Sequence, residues 1–225
     1  MILRLISTIL LIPPALAAIW FGTPYFEVMV IVVSLIGVYE LCNVSLTSRA
    51  RMDHDLLRAG WLAFGIGYIV VAALSLIQLR GDVIDGRAFV IELFAIVWAT
   101  DIGAYLVGRA VGGPKLAPAI SPNKTWAGAV GGLVCALIAA FLVSRLLGLT
   151  MSVVTVLVAA AVLSAVSQVG DLMESWWKRR FDVKDSGHLI PGHGGILDRI
   201  DGVLLASPVA AAGHWMMHGG GVPWK

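Results

Sequence analysis

A chain of 225 residues that is 59% hydrophobic and only 13% charged is too apolar for a soluble domain, in which about a quarter of residues carry charge. Its mean hydropathy of +0.89 points to a bilayer, and a formal net charge of +2 is too small to favour nucleic acid as a partner. Cys42 and Cys135 each lie in an apolar run with no cysteine or histidine at metal-ligand spacing, so they read as two buried thiols.

In chain order, apolar runs fall at 3–21, 25–44, 59–79, 88–108, 126–147, 152–174 and 202–218. Several reach the roughly 18 to 20 residues that cross a hydrocarbon core. The chain therefore reads as an all-α, polytopic membrane bundle of about seven transmembrane helices, a single domain over residues 1–225. Arg4 and the small residues Ala15, Ala17 and Ala18 give the first run a signal-peptide look, but it continues through Trp20 and Phe21 and is kept as a span. Pro13 and Pro14 are expected to kink that helix, and Pro208 the last one.

Charge orients the bundle. One side receives Arg4, Arg49, Arg51, Arg58, Arg109, Lys115, Lys124, Lys178, Arg179, Arg180, Lys184 and Arg199, which is 12 of the 16 Lys and Arg. Only Arg80, Arg87, Arg145 and Lys225 fall on the other. By the positive-inside rule the N-terminus and the polar segments are cytoplasmic; the membrane itself is expected to be of the bacterial inner type.

Three polar features share that side. Asp101 lies about two turns inside Arg109, where an unpaired acid is costly, so it faces a wet cavity or pairs with a base between helices. Next, GGPKLAPAISPNKTWAG places Lys115, Ser121, Asn123, Lys124 and Thr125 ahead of the fifth span. Asn123 or Thr125 can cap that helix, whose free N–H groups favour phosphate; an ordinary capped loop is the competing reading. The third and densest feature is GDLMESWWKRRFDVKDSGHLIPGHGGILDRID. Asp171, Glu174, Ser175 and Lys178 stand at i, i+3, i+4 and i+7, on one helix face. Asp198 and Asp201 share a face if the last helix begins near Asp198. Two acidic pairs on adjacent helix ends can supply oxygen ligands to Mg²⁺, which keeps waters and substrate phosphate for its other positions. His188 and His193 flank a Pro-Gly turn without the spacing of a zinc site, and suit a phosphate contact or the turn itself.

The stretch S-x-x-KR-x4-KD-x-G-x2-IP-x-HGGI-x-DR-x-D, from Ser175 to Asp201, resembles the signature of the phosphatidate cytidylyltransferases, or CDP-diacylglycerol synthases. Upstream, Asp101–Tyr105 resembles that family's D-x-GAY, Ser121–Gly128 its SP-x-KTW-x-G, and Gly170–Ser175 its GD-x-x-ES. The resemblance covers about residues 98–205. Trp177, where a smaller apolar residue is usual, and Gly202, where Ser is common, depart from the pattern without removing a charge.

The resemblance implies transfer of CMP from CTP to phosphatidate, giving CDP-diacylglycerol and pyrophosphate. Both reactants are anions, so a divalent cation and Lys or Arg groups would offset their repulsion and stabilise the leaving group. On this reading Asp171 and Asp198 are metal ligands, with Glu174 and Asp201 beside them in a paired Mg²⁺ site. Lys124, Lys178 and Arg199 contact phosphates. Asp101, Ser121, Asn123, Thr125, Ser175, Lys184, Asp185 and His193 complete the substrate site. The partners are CTP, phosphatidate and the bilayer, with a homodimer among the allowed assemblies. A CTP-dependent polyprenol-type lipid kinase is the alternative chemistry. A transporter is disfavoured, because the ionisable groups crowd one face and no internal repeat is visible.

Overall fold

The computed structural model describes residues 13–47, 55–82, 85–187 and 194–217. The start of the first expected span, residues 3–12, lies outside them. Seven helices are seen among the described residues: α1 (13–21), α2 (Tyr25–Thr47), α3 (Asp55–Arg80), α4 (Gly86–Val111), α5 (Trp126–Leu146), α6 (Val153–Arg180) and α7 (Leu197–Met217). The fold is all-α but for one antiparallel hairpin, β1 (Lys115–Ala117) and β2 (Ser121–Thr125), between α4 and α5.

Five of these helices, α2 to α6, are long and apolar enough to cross a bilayer. A third or less of each one's most apolar window, 17% to 33%, is buried within the bundle. Outward they present Leu35, Val71, Leu74, Val130, Ile138 and Val158, apolar groups that suit lipid rather than water. The chain is an integral membrane protein. Against about seven expected spans, five among the described residues meet the length and apolarity of a crossing; α7 carries Asp198, Arg199 and Asp201 in its first turns and holds Pro208 within it.

Small residues bring the helices together. A Cβ on Gly132 would stand 2.7 Å from the Thr100 carbonyl, and one on Gly128 would stand 2.7 Å from that of Ala104, so α4 and α5 meet backbone to backbone. Close approach of this kind replaces a hydrophobic driving force that lipid does not supply. Polar links join the same helices to α6. Thr100 Oγ1 lies 2.9 Å from Ser164 Oγ, and Gln168 Nε2 donates to the Ala129 carbonyl at 3.3 Å.

Two apolar clusters fill the interior. The larger joins Phe26, Leu79, Leu93, Ile96, Val156 and Val203, drawn from α2, α3, α4, α6 and α7. The smaller joins Leu41, Ile69, Leu197 and Leu204, with Trp177 packed against it. That second cluster lies where α2, α3, α6 and α7 converge, and it carries the polar ends of α6 and α7.

Candidate active site

Helix α6 does not stop where its apolar run ends. It continues through the polar residues to Arg180, so Asp171, Glu174, Ser175 and Lys178 share one continuous helical face. Helix α7 begins at Leu197 and brings Asp198 into its first turn, where a carboxylate complements the helix dipole. The two helices meet at Gly170, where a Cβ would fall 2.8 Å from the Asp201 carbonyl oxygen. Gly202 sits in a similar crevice, its notional Cβ 3.2 Å from Val97 and 3.4 Å from Ser167, so a larger residue there would crowd α4 and α6.

This approach places Asp201 of α7 beside Asp171 and Glu174 of α6, one ligand oxygen from each lying within 4.8 Å of the others. Lys178 extends the cluster. Its ammonium contacts Glu174 Oε2 at 3.1 Å and Asp198 Oδ1 at 2.6 Å, with all three side chains 10% to 12% exposed. Asp198 thus stands beyond Lys178, apart from the acidic trio. Its other oxygen accepts from the N–H groups of Ser186 (3.0 Å) and Gly195 (2.9 Å), with Ser186 Oγ at 3.0 Å. Burial opposes the Asp198 charge, yet Lys178 and the Gly195 and Ser186 N–H groups outweigh it and hold this carboxyl below the usual range. Asp201, ahead of the apolar part of α7, goes the other way. Burial first, then the charges of Glu174 and Asp171, push its carboxyl well above that range.

The hairpin supplies the second cation. Thr125 caps α5, its Oγ1 accepting from the Gly128 N–H at 3.1 Å, and it is 5% exposed. That cap fixes the end of β2, and Lys124 just before it reaches Asp171 Oδ2 at 2.5 Å. Lys124 and Asp171 are 26% and 30% exposed, so they form the open side of a cluster whose floor is Glu174, Lys178 and Asp198. Ser175 Oγ is 3.5 Å from Asp171 Oδ1, and Asp101 lies within electrostatic reach of Asp171 and Lys124. Arg179 ties the hairpin to the loop after α6 by donating to the carbonyls of Ile120 (3.4 Å) and Val183 (3.2 Å).

Other expected site residues are placed more loosely. Ser121 is half-buried on β2, while Asn123, Lys184, Asp185 and Arg199 are exposed around the cluster. Thr125 is drawn into the helix cap. His188 and His193 lie outside the described residues.

Two residues on other helices join the site without having been singled out from the sequence. Tyr68 of α3 carries a buried hydroxyl with no hydrogen-bond partner, close enough to Asp201 and Glu174 to feel their charge. Glu40 of α2, 1% exposed, contacts the segment that leads into α7. Its one sequence signal was an acid well inside an apolar run, the kind of residue that membrane interiors rarely hold without purpose.

The trio has the chemistry of a divalent-cation site. It offers three carboxylates from two helices, mutual repulsion that a cation would relieve, and a buried Glu174 Oε1 without a hydrogen-bond partner. Beside it, Trp61, Phe64, Tyr68 and Trp176 line an apolar cleft that also touches Glu174 and Asp201. An anionic headgroup with an apolar tail would find both of its halves matched.

A model of the cytidylyltransferase family matches residues 55–217, which include every one of the paired acids and lysines. The chain belongs to the cytidylyltransferase family. Within 148 aligned residues it is 55% identical to the phosphatidate cytidylyltransferase of Brucella suis, an alignment covering 66% of this chain and 54% of that protein. It is 39% identical over 166 residues to the Staphylococcus saprophyticus phosphatidate cytidylyltransferase, covering 74% and 63% of the two chains. With the Staphylococcus epidermidis phosphatidate cytidylyltransferase the figure is 36% over 180 residues, covering 79% and 68%. The chain thus spans about half the length of its Brucella relatives. Glu40 precedes the part matched by the family model.

Proposed function

We propose that this family member transfers CMP from CTP to phosphatidate, forming CDP-diacylglycerol and pyrophosphate. The observation that carries the reading is the juxtaposition of the Asp171–Glu174–Asp201 trio with Lys124 and Lys178, beside an aromatic cleft. A phosphate oxygen of phosphatidate attacks the α-phosphorus of CTP. One P–O bond forms there, and the bond from that phosphorus to the bridging oxygen of the β-phosphate breaks. The lipid phosphate is itself the nucleophile, so no side-chain nucleophile is needed.

Each residue has a part that its surroundings permit. Lys124, on the open side, meets the triphosphate and lowers the repulsion between the two anions. Lys178, fixed between Glu174 and Asp198, presents its charge where negative charge builds on the leaving pyrophosphate. Arg199, Lys184 and Asn123, exposed at the rim, are placed to contact phosphate oxygens or the nucleotide. Asp171, Glu174 and Asp201 would hold Mg²⁺, with Asp198 joining if Lys178 shifts toward substrate. When bound, such a cation supplies charge neutralisation for the phosphates. The cleft of Trp61, Phe64, Tyr68 and Trp176 receives the glycerol end of the lipid from the side. The site faces the cytoplasm, where CTP is found, a reading supported by the distribution of Lys and Arg.

The test is pyrophosphate release by the purified full chain in detergent. Release should require both CTP and phosphatidate, stop with EDTA and return with excess Mg²⁺. Release independent of phosphatidate, or unaffected by EDTA, would contradict the reading.

A further inference from the structure

Glu40 is among the most deeply buried ionisable side chains in the bundle, at 1% exposure, and it belongs to α2, away from the helices that carry the acids and lysines. Its carboxylate is fully engaged. Oε1 accepts from the Ile196 N–H at 2.9 Å, and Oε2 accepts from the Leu197 N–H at 3.0 Å. These donors lie at the start of α7, among the N–H groups a helix cannot satisfy within itself. Glu40 is therefore a helix cap delivered from another helix.

The same carboxylate organises the segments on either side of residues 188–193. A Cβ on Gly187 would lie 2.6 Å from Oε1, and one on Gly195 2.6 Å from Oε2, so both glycines are pressed against it. Ser186 Oγ lies 3.2 Å from Glu40 Oε2 and 3.0 Å from Asp198 Oδ2, within donating distance of both. Asp198 in turn holds Lys178 at 2.6 Å. A continuous run of contacts thus leads from Glu40 through Ser186 and Asp198 to Lys178. An acid buried so completely is costly unless its partners are fixed, and here those partners are the backbone that sets Asp198.

We propose that Glu40 is a positioning residue for the transfer reaction. It pins Ser186–Gly187 and Gly195–Leu197 together and thereby aligns the Asp198–Lys178 pair with the acidic trio, without itself touching substrate. The inference rests on the activity proposed above, and its test separates the two.

Glu40→Gln keeps the shape but turns an amide NH₂ toward groups that donate. In hydrogen–deuterium exchange of the full chain, peptides covering 186–187 and 194–200 should exchange at least tenfold faster in this variant, with α4 and α5 unchanged. In turnover, kcat should fall tenfold or more while KM for phosphatidate stays within twofold. Glu92→Gln, a second buried glutamate (8% exposed) that lines a different pocket with Phe89, Met151 and His214, should match the wild type in both. Ser186→Ala leaves Glu40 its two N–H donors and Asp198 its own two, and removes only the hydroxyl that bridges the two carboxylates, so it should lower kcat without speeding exchange at 196 and 197. Unchanged exchange or unchanged kcat in Glu40→Gln would overturn the proposal. Should that variant fail to fold, a wild-type kcat in Ser186→Ala would overturn it alone. A wild-type chain without transfer activity would remove the reaction, yet the exchange result would still decide whether Glu40 pins this segment.

Discussion

Asp171 and Asp198 have different partners and should fail differently when neutralised. Asp171 is the more open, paired with Lys124 and facing the other two acids; Asp198 is 10% exposed and fixed by Lys178 and two backbone N–H groups. Asp171→Asn and Asp198→Asn should each slow turnover on the order of 100- to 1,000-fold, the usual result of removing a charge-stabilising group. Steady-state kinetics at limiting Mg²⁺ checks this. Asp171→Asn should raise the Mg²⁺ needed for half-maximal rate. Asp198→Asn should lower the melting temperature more, because it leaves a buried Lys178 short of a partner. Asp182→Asn is the control: its φ of 55° is left-handed, a conformation asparagine also accepts, and its side chain is exposed. Equal damage from Asp182→Asn would mean that general loop charge, not the trio, is what matters. At this scale the sequence was informative wherever helical spacing could be read. Asp171, Glu174 and Lys178 on one face followed from their spacing alone. That Lys178 separates Asp198 from the trio did not, because the direction of a side chain between two helices depends on their packing. Glu40 was missed for the same reason: its partners lie 146 to 157 residues away.

Among the elements, the approach of α6 to α7 governs whether Asp201 reaches Asp171 and Glu174. Gly170→Ala adds a Cβ 2.8 Å from the Asp201 carbonyl, so the helices must separate. Overpacking of this kind costs about 1–3 kcal/mol, and here it also opens the trio. Activity should drop at least tenfold, with a lowered melting temperature. Gly67→Ala on α3, where nothing lies within 4 Å, should leave both near wild type. A fully active Gly170→Ala protein would show that this contact does not set the site. Helix positions were largely legible, since runs of apolar residues identify α2 to α5 within a few residues. For α6 the apolar run stops short, because hydropathy marks where lipid ends rather than where a helix ends, and the spacing of Asp171, Glu174 and Lys178 carried the helix further. Six more residues, Ser175 to Arg180, remain helical beyond the apolar run. The β1–β2 hairpin was read as an irregular loop. Its strands of three and five residues carry Pro and Asn in place of alternating β-formers, and pairing alone defines them.

Over the whole molecule, orientation is the largest claim still resting on charge. Once Cys42 and Cys135 are replaced, single cysteines at Leu116 and Asp182 should resist an impermeant thiol reagent in intact cells, and one at Ile84 should react. Labelling at 182 from outside would invert the bundle and separate the site from CTP. The membrane class was plain from composition, because so few charges cannot cover a soluble surface of this size. The number of crossings was harder to read: α7 mixes acids with a short apolar stretch, and among the described residues five helices have the length and apolarity of a span. Membership of the cytidylyltransferase family was legible because the charges recur at helical and loop spacings that match it.

The central claim is that the α-phosphorus of CTP is the point of attack. The purified chain, given phosphatidate and Mg²⁺, should be supplied in parallel with CTP labelled at the α- or the γ-phosphorus, and lipid and aqueous products separated. The α-label should enter the lipid as CDP-diacylglycerol, with the γ-label released as pyrophosphate. The γ-label in lipid, with CDP released, would contradict the account and make the protein a CTP-dependent lipid kinase.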